Sequence, residues 1–208
     1  MNTRFAVLIY LASASSFAGT LYSFGGNHLV AFEERGRISG AFLAMERADG
    51  RSFACQFAFK TIDSSSKKAR RRITAWEKNK YFHATANGTL YLEEDGWKIR
   101  INFPSQGCKL FPWDQFSSSP PYTFDISEKR PALGIHVLHR RSTYYNPSGS
   151  GFEPSTSRTD ILSKGDLVAA IRKQGEFTYI EHFASWRSYA AESSGWIRSV
   201  DLGKRISD

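Results

Sequence analysis

Two stretches of strict alternation, each interrupted by an Asp-Gly pair, constrain this chain more than any other feature. The pairs are Asp49-Gly50 and Asp95-Gly96. After the first pair, the apolar residues on every second position are Phe53, Cys55, Phe57 and Phe59. After the second pair, they are Trp97, Ile99, Ile101 and Phe103. Asp-Gly adopts the positive φ angles of tight hairpin turns, and alternating side chains fall on opposite faces of a strand. The sequence therefore predicts two antiparallel hairpins with a buried apolar face that includes Cys55.

The rest of the chain supports a mainly β fold. Aromatic residues make up 14% of the 208 residues, and long helical periodicity is rare. The longest apolar run, residues 5–12, is well short of the about 20 residues that a helix needs to cross a bilayer. We therefore expect a globular β protein with no integral membrane segment after signal cleavage.

The N-terminus has the pattern of a secretory signal peptide, predicted over residues 1–18. Arg4 supplies the positive start, residues 5–11 the apolar run, and residues 12–14 or 16–18 a cleavage site of small residues. The alternative is a buried first strand or helix. A signal peptide predicts a periplasmic or secreted protein.

Export gives the two cysteines a clear interpretation. Cys55 and Cys108 are the only cysteines in the chain, and thiols outside the cytosol usually form disulfides. A catalytic or metal-binding pair is the alternative, but neither cysteine has a CxxC partner or a histidine at ligand spacing. We expect a disulfide that joins the two hairpins, with no metal and no cofactor.

A basic segment lies between the hairpins. Ala69, Ile73 and Trp76 follow helical spacing, which predicts a short amphipathic helix on the sheet. Its cationic residues form a candidate basic patch: Lys67, Lys68, Arg70, Arg71 and Arg72. The patch would bind polyanions, or it is simply a solvated surface. Because the run lacks stacking aromatics, nucleic acid is not an expected partner.

A Ser- and Pro-rich stretch at residues 116–121 indicates a domain boundary. We therefore predict a disulfide-linked β module over residues 19–118 and a second, small β-barrel over residues 129–208. The second module shows four short strand patterns separated by turn residues and by a loop rich in Gly, Ser and Pro. These patterns cover residues 134–141, 167–172, 177–183 and 195–198.

Three short motifs carry a family resemblance in this second module. They are ILSKGDLV at residues 161–168, GEFTYI at 175–180 and SGWI at 194–197, with Leu202 near the end of the chain. Over about residues 134–202, this pattern resembles the bacterial Src-homology-3-like domain. The resemblance implies a non-catalytic barrel that binds cell-wall peptide, peptidoglycan or a protein segment in an aromatic groove. By position, the groove candidates are Tyr144, Tyr145, Trp186 and Trp196. For Trp196, packing in the barrel core is an equally good interpretation.

These observations favour an exported, non-enzymatic binding protein for cell-wall peptide, peptidoglycan or a protein ligand. The alternative is a periplasmic immunity protein that inhibits a wall-degrading toxin or lysozyme by binding it. The five histidines are scattered, and no arrangement of nucleophile, base and oxyanion donors stands out. Were the protein an enzyme, a pairing of His182 with Glu181 or Asp166 would be the place to look.

Overall fold

The chain folds into two β-sheets. The computed structural model describes residues 18–26, 29–48, 51–63, 69–77, 86–101, 108, 116–117, 119–149, 151–156, 162–183 and 193–208. Within these ranges the chain forms fifteen strands and one short 3-10 helix. The predicted signal peptide, residues 1–18, lies outside the described residues except for Ala18.

The first sheet closes into an eight-stranded antiparallel barrel. Its strands are β1 (Gly19–Phe24), β2 (Leu29–Glu34), β3 (Arg37–Ala48), β4 (Arg51–Thr61), β5 (Arg70–Glu77), β6 (Ala86–Leu92), β7 (Gly96–Ile101) and β8 (Thr123–Ala132). Each strand pairs with the next along the chain, and β8 returns to pair with β1. Both predicted hairpins are confirmed as the antiparallel pairs β3–β4 and β6–β7.

Aromatic rings fill the barrel interior. Cys55, Phe57 and Phe59 are buried there, as the alternation predicts. The ring of Phe116 lies 4.9 Å from that of Phe42 and 4.9 Å from that of Phe57, both edge to face. An eight-stranded barrel has an interior just wide enough for side chains to fill, and here the side chains form one continuous core. The side chain of Phe53 and the whole of Phe103 lie outside the described part.

The predicted disulfide is confirmed. Cys55 and Cys108 are bonded with an S–S distance of 2.04 Å and a Cα–Cα distance of 4.6 Å. Cys55 lies on β4 inside the barrel, and Cys108 belongs to the long connection between β7 and β8. The bond therefore fastens that connection to the barrel core.

The helix predicted over residues 69–76 is wrong, because this segment is strand β5. Arg71, Ile73 and Ala75 point into the barrel, whereas Arg70 and Arg72 are exposed. The segment satisfies a period of two as well as a helical spacing, and its β-branched and aromatic residues favour a strand. A helix here would also leave the facing edges of β4 and β6 without main-chain partners, which β5 supplies.

The first sheet extends past the range 19–118 predicted for the first module. Strand β8 (Thr123–Ala132) completes the barrel, so the Ser/Pro stretch is a connection within this unit. The predicted second range, 129–208, begins inside β8. Four of the last five residues of β8 before Ala132 are charged or proline, which conceals the strand from a pattern based on apolar residues.

The second sheet has seven strands. They are β9 (Gly134–Leu138), β10 (Tyr145–Ser148), β11 (Gly151–Pro154), β12 (Leu167–Gln174), β13 (Phe177–His182), β14 (Ser193–Arg198) and β15 (Leu202–Arg205). Their order is β11-β10-β14-β13-β12-β9-β15, so the last strand returns beside the first one. The four predicted strands appear as β9, β12, β13 and β14. Strands β10 and β11 occupy part of the predicted loop.

One face of the second sheet packs on the outside of the barrel. Ile135, Leu167 and Ala169 join an apolar cluster with outward-facing barrel residues such as Phe32 and Trp76. Two ion pairs cross the same junction: Arg130 with Glu181, and Arg205 with Glu34 at 2.8 Å. The other face of the sheet carries a separate core of Leu138, Tyr144, Leu162, Val168, Ile180 and Ile197.

His136 makes the stability of this sheet sensitive to acid. Burial lowers the pKa of His136, and the charge of Arg205 lowers it further, against the raising effects of the Gly203 contact and Asp208. Its Nδ1 lies 3.1 Å from the carbonyl oxygen of Gly203 on β15. The folded state therefore keeps the imidazole neutral at pH values where the unfolded chain takes up a proton. The free energy of unfolding therefore falls as the pH drops below the ordinary histidine pKa of about 6.5.

We expect the free energy of unfolding to fall by up to about 1.4 kcal/mol per pH unit over this window. His136→Gln should flatten that slope, and urea unfolding at several pH values between neutral and mildly acidic measures it. His139→Gln is the matched control, because His139 Nδ1 also lies 3.1 Å from a carbonyl oxygen, that of Asp201. Equal slopes in the wild type and His136→Gln would contradict the assignment.

Candidate functional site

A row of side chains crosses four neighbouring strands of the second sheet. Tyr145 on β10 lies opposite Trp196 on β14. Trp196 lies opposite Tyr179 on β13, which in turn lies opposite Arg172 on β12. Directly opposed residues share one face of a sheet. The three rings and the arginine therefore stand side by side on one surface.

Two further rings extend this row. Phe152 on β11 stacks on Phe177 of β13 with ring centroids 4.2 Å apart, and it lies 5.0 Å from Trp196. Phe177 in turn meets Tyr145 at 5.0 Å. We call this group the aromatic shelf: Tyr145, Phe152, Phe177, Tyr179 and Trp196. The rings contact one another at 4.2–5.5 Å, within the range of favourable aromatic pairs.

The shelf is exposed at its margins. Trp196 is 7% exposed and forms the buried centre, whereas the other four rings are half-buried. None of the five belongs to the cluster that joins the sheet to the barrel or to the core on the opposite face. Contiguous exposed apolar surface of this kind commonly marks a binding site. The shelf is therefore our candidate functional site.

Two exposed arginines border the shelf. Arg172 Cζ lies 5.1 Å from the ring centroid of Tyr179 and 5.3 Å from that of Trp196. Arg198 Cζ lies 5.8 Å from the ring centroid of Tyr145. These distances are those of cation–π contacts. Each contact holds a positive charge beside the aromatic surface.

Within the described ranges, neither arginine forms an ion pair with a carboxylate. Glu181 lies on the same face of β13 as Tyr179, because residues two apart on a strand share a face. However, its carboxylate pairs with Arg130 of the barrel. The carboxylate of Glu181 is therefore already paired.

The structure separates the four groove residues predicted from the sequence. Tyr145 and Trp196 both lie on the shelf. Tyr144 is only 2% exposed, belongs to the core on the opposite face, and hydrogen-bonds through its hydroxyl to Ser193 Oγ at 2.6 Å. It is therefore not a groove residue, because neighbouring residues of an extended chain point to opposite sides. Trp186 lies outside the described residues.

Three shelf rings and the two bordering arginines are not among the groove residues predicted from the sequence: Phe152, Phe177, Tyr179, Arg172 and Arg198. A signal existed for Phe177 and Tyr179, since they alternate on a predicted strand and share a face. Phe152 gave no usable signal, because it stands alone among glycines, serines and prolines.

The predicted basic patch is not one surface. Arg71 points into the barrel, where it donates to the carbonyl oxygen of Gly36 at 2.7 Å and pairs with Glu33 at 3.4 Å. Arg70 and Arg72 point outward, and Arg72 pairs with Asp63 at 3.0 Å. Lys67 and Lys68 lie outside the described residues. Strand alternation thus splits the cations between the barrel interior and its surface.

Glu33 links Arg71 to a tyrosine inside the barrel. The hydroxyl of Tyr22 donates to Glu33 at 3.0 Å. Burial, the charge of Glu33 and this hydrogen bond together raise the pKa of Tyr22 to about 12, with burial the largest cause and the charge of Arg71 opposing them. These three side chains form a polar cluster at one end of the aromatic core.

The histidine pairing considered for an enzyme is partly present. His182 Nε2 lies 3.5 Å from Asp166 Oδ2. The same carboxylate oxygen accepts the main-chain N–H of Ser163 at 2.8 Å, so it also stabilises the turn before β12. Among the described residues, no group of three or more His, Cys, Asp or Glu side chains could hold a metal ion. No helix in that part of the chain is long and apolar enough to span a membrane.

Comparison with known protein families, with curated proteins and with solved structures found no match.

Proposed function

We propose that this protein is an exported, non-enzymatic binding protein whose aromatic shelf binds an extended peptide of the cell wall. One observation carries the proposal: five rings linked by ring contacts, four of them half-exposed, lie on one face of the second sheet outside the cluster that joins this sheet to the barrel. The resemblance to Src-homology-3-like domains adds the expectation that such a module binds wall peptide or a protein segment.

Rigid rings suit this role for an energetic reason. A tyrosine or tryptophan offers a large contact area and loses little conformational entropy on binding, because it has only two side-chain torsions. On the shelf, the rings also restrain one another before any ligand arrives. Extended peptides commonly dock into aromatic-lined surfaces of this type. The arrangement thus favours binding, with no chemistry required of the protein.

The proposed location has its own support. The Cys55–Cys108 disulfide is typical of proteins that function outside the cytosol. The N-terminal segment has the pattern of a signal peptide. Both agree with a ligand in the cell wall, which is reached only after export.

Cosedimentation with purified peptidoglycan sacculi tests the proposal. We expect the wild type to pellet with sacculi and the variant Tyr145→Ala/Phe152→Ala to bind at least about tenfold more weakly, because contact rings of this type dominate binding energy. Tyr122→Ala is the matched control, since Tyr122 is an exposed aromatic, 54% accessible, just before β8 of the barrel, where its ring contacts that of Phe124. Loss of binding in the control, or none in the shelf variant, would contradict the proposal.

The inhibitor alternative predicts different results in a protein pulldown and in the sacculus assay. A rigid, disulfide-linked barrel beside an aromatic shelf would also suit a protein that blocks a toxin or lysozyme. In that case a stoichiometric protein complex would form in a pulldown, and it would be lost in Tyr145→Ala/Phe152→Ala. Sacculi alone would then retain no wild-type protein.

A further inference from the structure

We infer that the peptide bound by the shelf is acidic and carries two carboxylates, one for Arg172 and one for Arg198. The inference rests on the proposed function, since it assumes that the shelf binds a peptide. The ligand is then an extended acidic peptide.

Positive charge at the border of the shelf favours an acidic ligand. Both guanidinium groups are exposed, and neither has a carboxylate partner among the described residues. The protein as a whole carries a formal charge of +8, which attracts anionic ligands. A ligand carboxylate would therefore meet two unneutralised cations at the border of the aromatic surface.

Both arginines are held by contacts with the shelf rings. Each guanidinium lies over a shelf ring, at 5.1 Å for Arg172 on Tyr179 and 5.8 Å for Arg198 on Tyr145. A guanidinium can stack on a ring and still donate several N–H groups to a carboxylate. Prior restraint of a long side chain lowers the entropy lost when the ligand binds. The two arginines are thus positioned for recognition before the ligand arrives.

The spacing of the arginines sets the spacing of the carboxylates. Arg172 and Arg198 lie on β12 and β14, which flank β13, and their partners on β13 are Tyr179 and Phe177. The backbones of Arg172 and Arg198 are separated by two strand spacings of about 4.8 Å across the sheet and by two residues along the strand. These two perpendicular displacements together place the two backbones about 12 Å apart. An extended peptide advances about 3.3–3.6 Å per residue. Acidic residues three or four positions apart would therefore reach both arginines, with apolar residues between them on the rings.

Fluorescence anisotropy with a labelled Glu-Pro-Leu-Glu peptide, blocked at both ends, tests this. We expect saturable binding to the wild type and at least about tenfold weaker binding of the uncharged Gln-Pro-Leu-Gln peptide, because each lost charge-assisted hydrogen bond is worth about one order of magnitude. Arg172→Gln and Arg198→Gln should each weaken binding of the acidic peptide by about tenfold. Higher ionic strength should weaken it as well.

Lys173→Gln is the matched control. It removes the same charge one residue further along β12, but Lys173 lies opposite Thr178 on the other face of the sheet. We expect its affinity to stay within about twofold of the wild type. Equal affinity for the acidic and uncharged peptides, or no saturable binding of the acidic peptide up to about 1 mM, would overturn the inference.

The same variants separate this inference from the proposed function. If Tyr145→Ala/Phe152→Ala loses sacculus binding while Arg172→Gln and Arg198→Gln keep it, the shelf binds the wall but the acidic ligand is wrong. If the ring variant keeps full sacculus binding, the proposed function itself fails.

Discussion

Replacement of Cys55 and Cys108 by alanine is expected to lower the free energy of unfolding by about 4 kcal/mol. The two residues are 53 positions apart, and closure of a loop of that length removes entropy from the unfolded chain by about this amount in the chain-entropy model. The bond also holds the connection after β7 against the core, where Cys108 and Phe116 pack. Urea unfolding of the wild type and the double variant measures the difference.

Two further readouts test the cause. The denaturant dependence of the variant should be steeper, because an unlinked unfolded chain exposes more surface. Wild-type protein reduced with a thiol reagent should lose a similar amount of stability, since it has the same freed chain. An unchanged unfolding midpoint in both the variant and the reduced protein would contradict a stabilising role for the bond.

The parts of the fold that could be predicted are those with local signals. An Asp-Gly turn with alternating residues on either side defines a hairpin within about 20 residues, so β3–β4 and β6–β7 could be found from the sequence. The disulfide followed because the chain has only two cysteines. Trp196 could be proposed because it belongs to a motif of the family resemblance, and Tyr145 because of its position in the region that the resemblance covers. Apart from the disulfide, whose cysteines are 53 positions apart, the evidence lies close together in the sequence.

The parts that could not be predicted depend on distant partners. From the sequence, Arg71 is expected on the surface. It lies inside the barrel, where it pairs with Glu33, which is 38 positions away in the sequence. Strand β8 closes the barrel through main-chain bonds that its polar sequence does not indicate. The shelf brings Phe152 onto Trp196 across two strand boundaries. Register between strands is set by the whole sheet, so the neighbours of a ring cannot be read from its own segment.

The pairing of Arg71 with Glu33 is the clearest energetic consequence of this long-range packing. The Arg71 side chain is 3% exposed, whereas Glu33 is 26% exposed. Removal of the carboxylate beside a buried cation is destabilising, because part of the compensation for the cation's desolvation is lost. Loss of Glu33 should therefore cost more than the pair itself contributes. This asymmetry can be measured with a double-mutant cycle.

We expect Glu33→Gln to lower the free energy of unfolding by about 3 kcal/mol, at the low end of the range for a broken buried pair because water still reaches Glu33. Arg71→Met/Glu33→Gln should be more stable than Glu33→Gln alone, since the buried charge is gone. Arg72→Met is the matched control on the same strand. Because the pair of Arg72 with Asp63 is exposed, its loss should leave the unfolding midpoint nearly unchanged.

Glu33→Gln should also lower the pKa of Tyr22 from about 12, although burial, the largest cause, keeps it above the ordinary value. Urea unfolding and NMR titration of Tyr22 measure these effects, and additive costs within about 0.5 kcal/mol would show that Arg71 and Glu33 are not coupled.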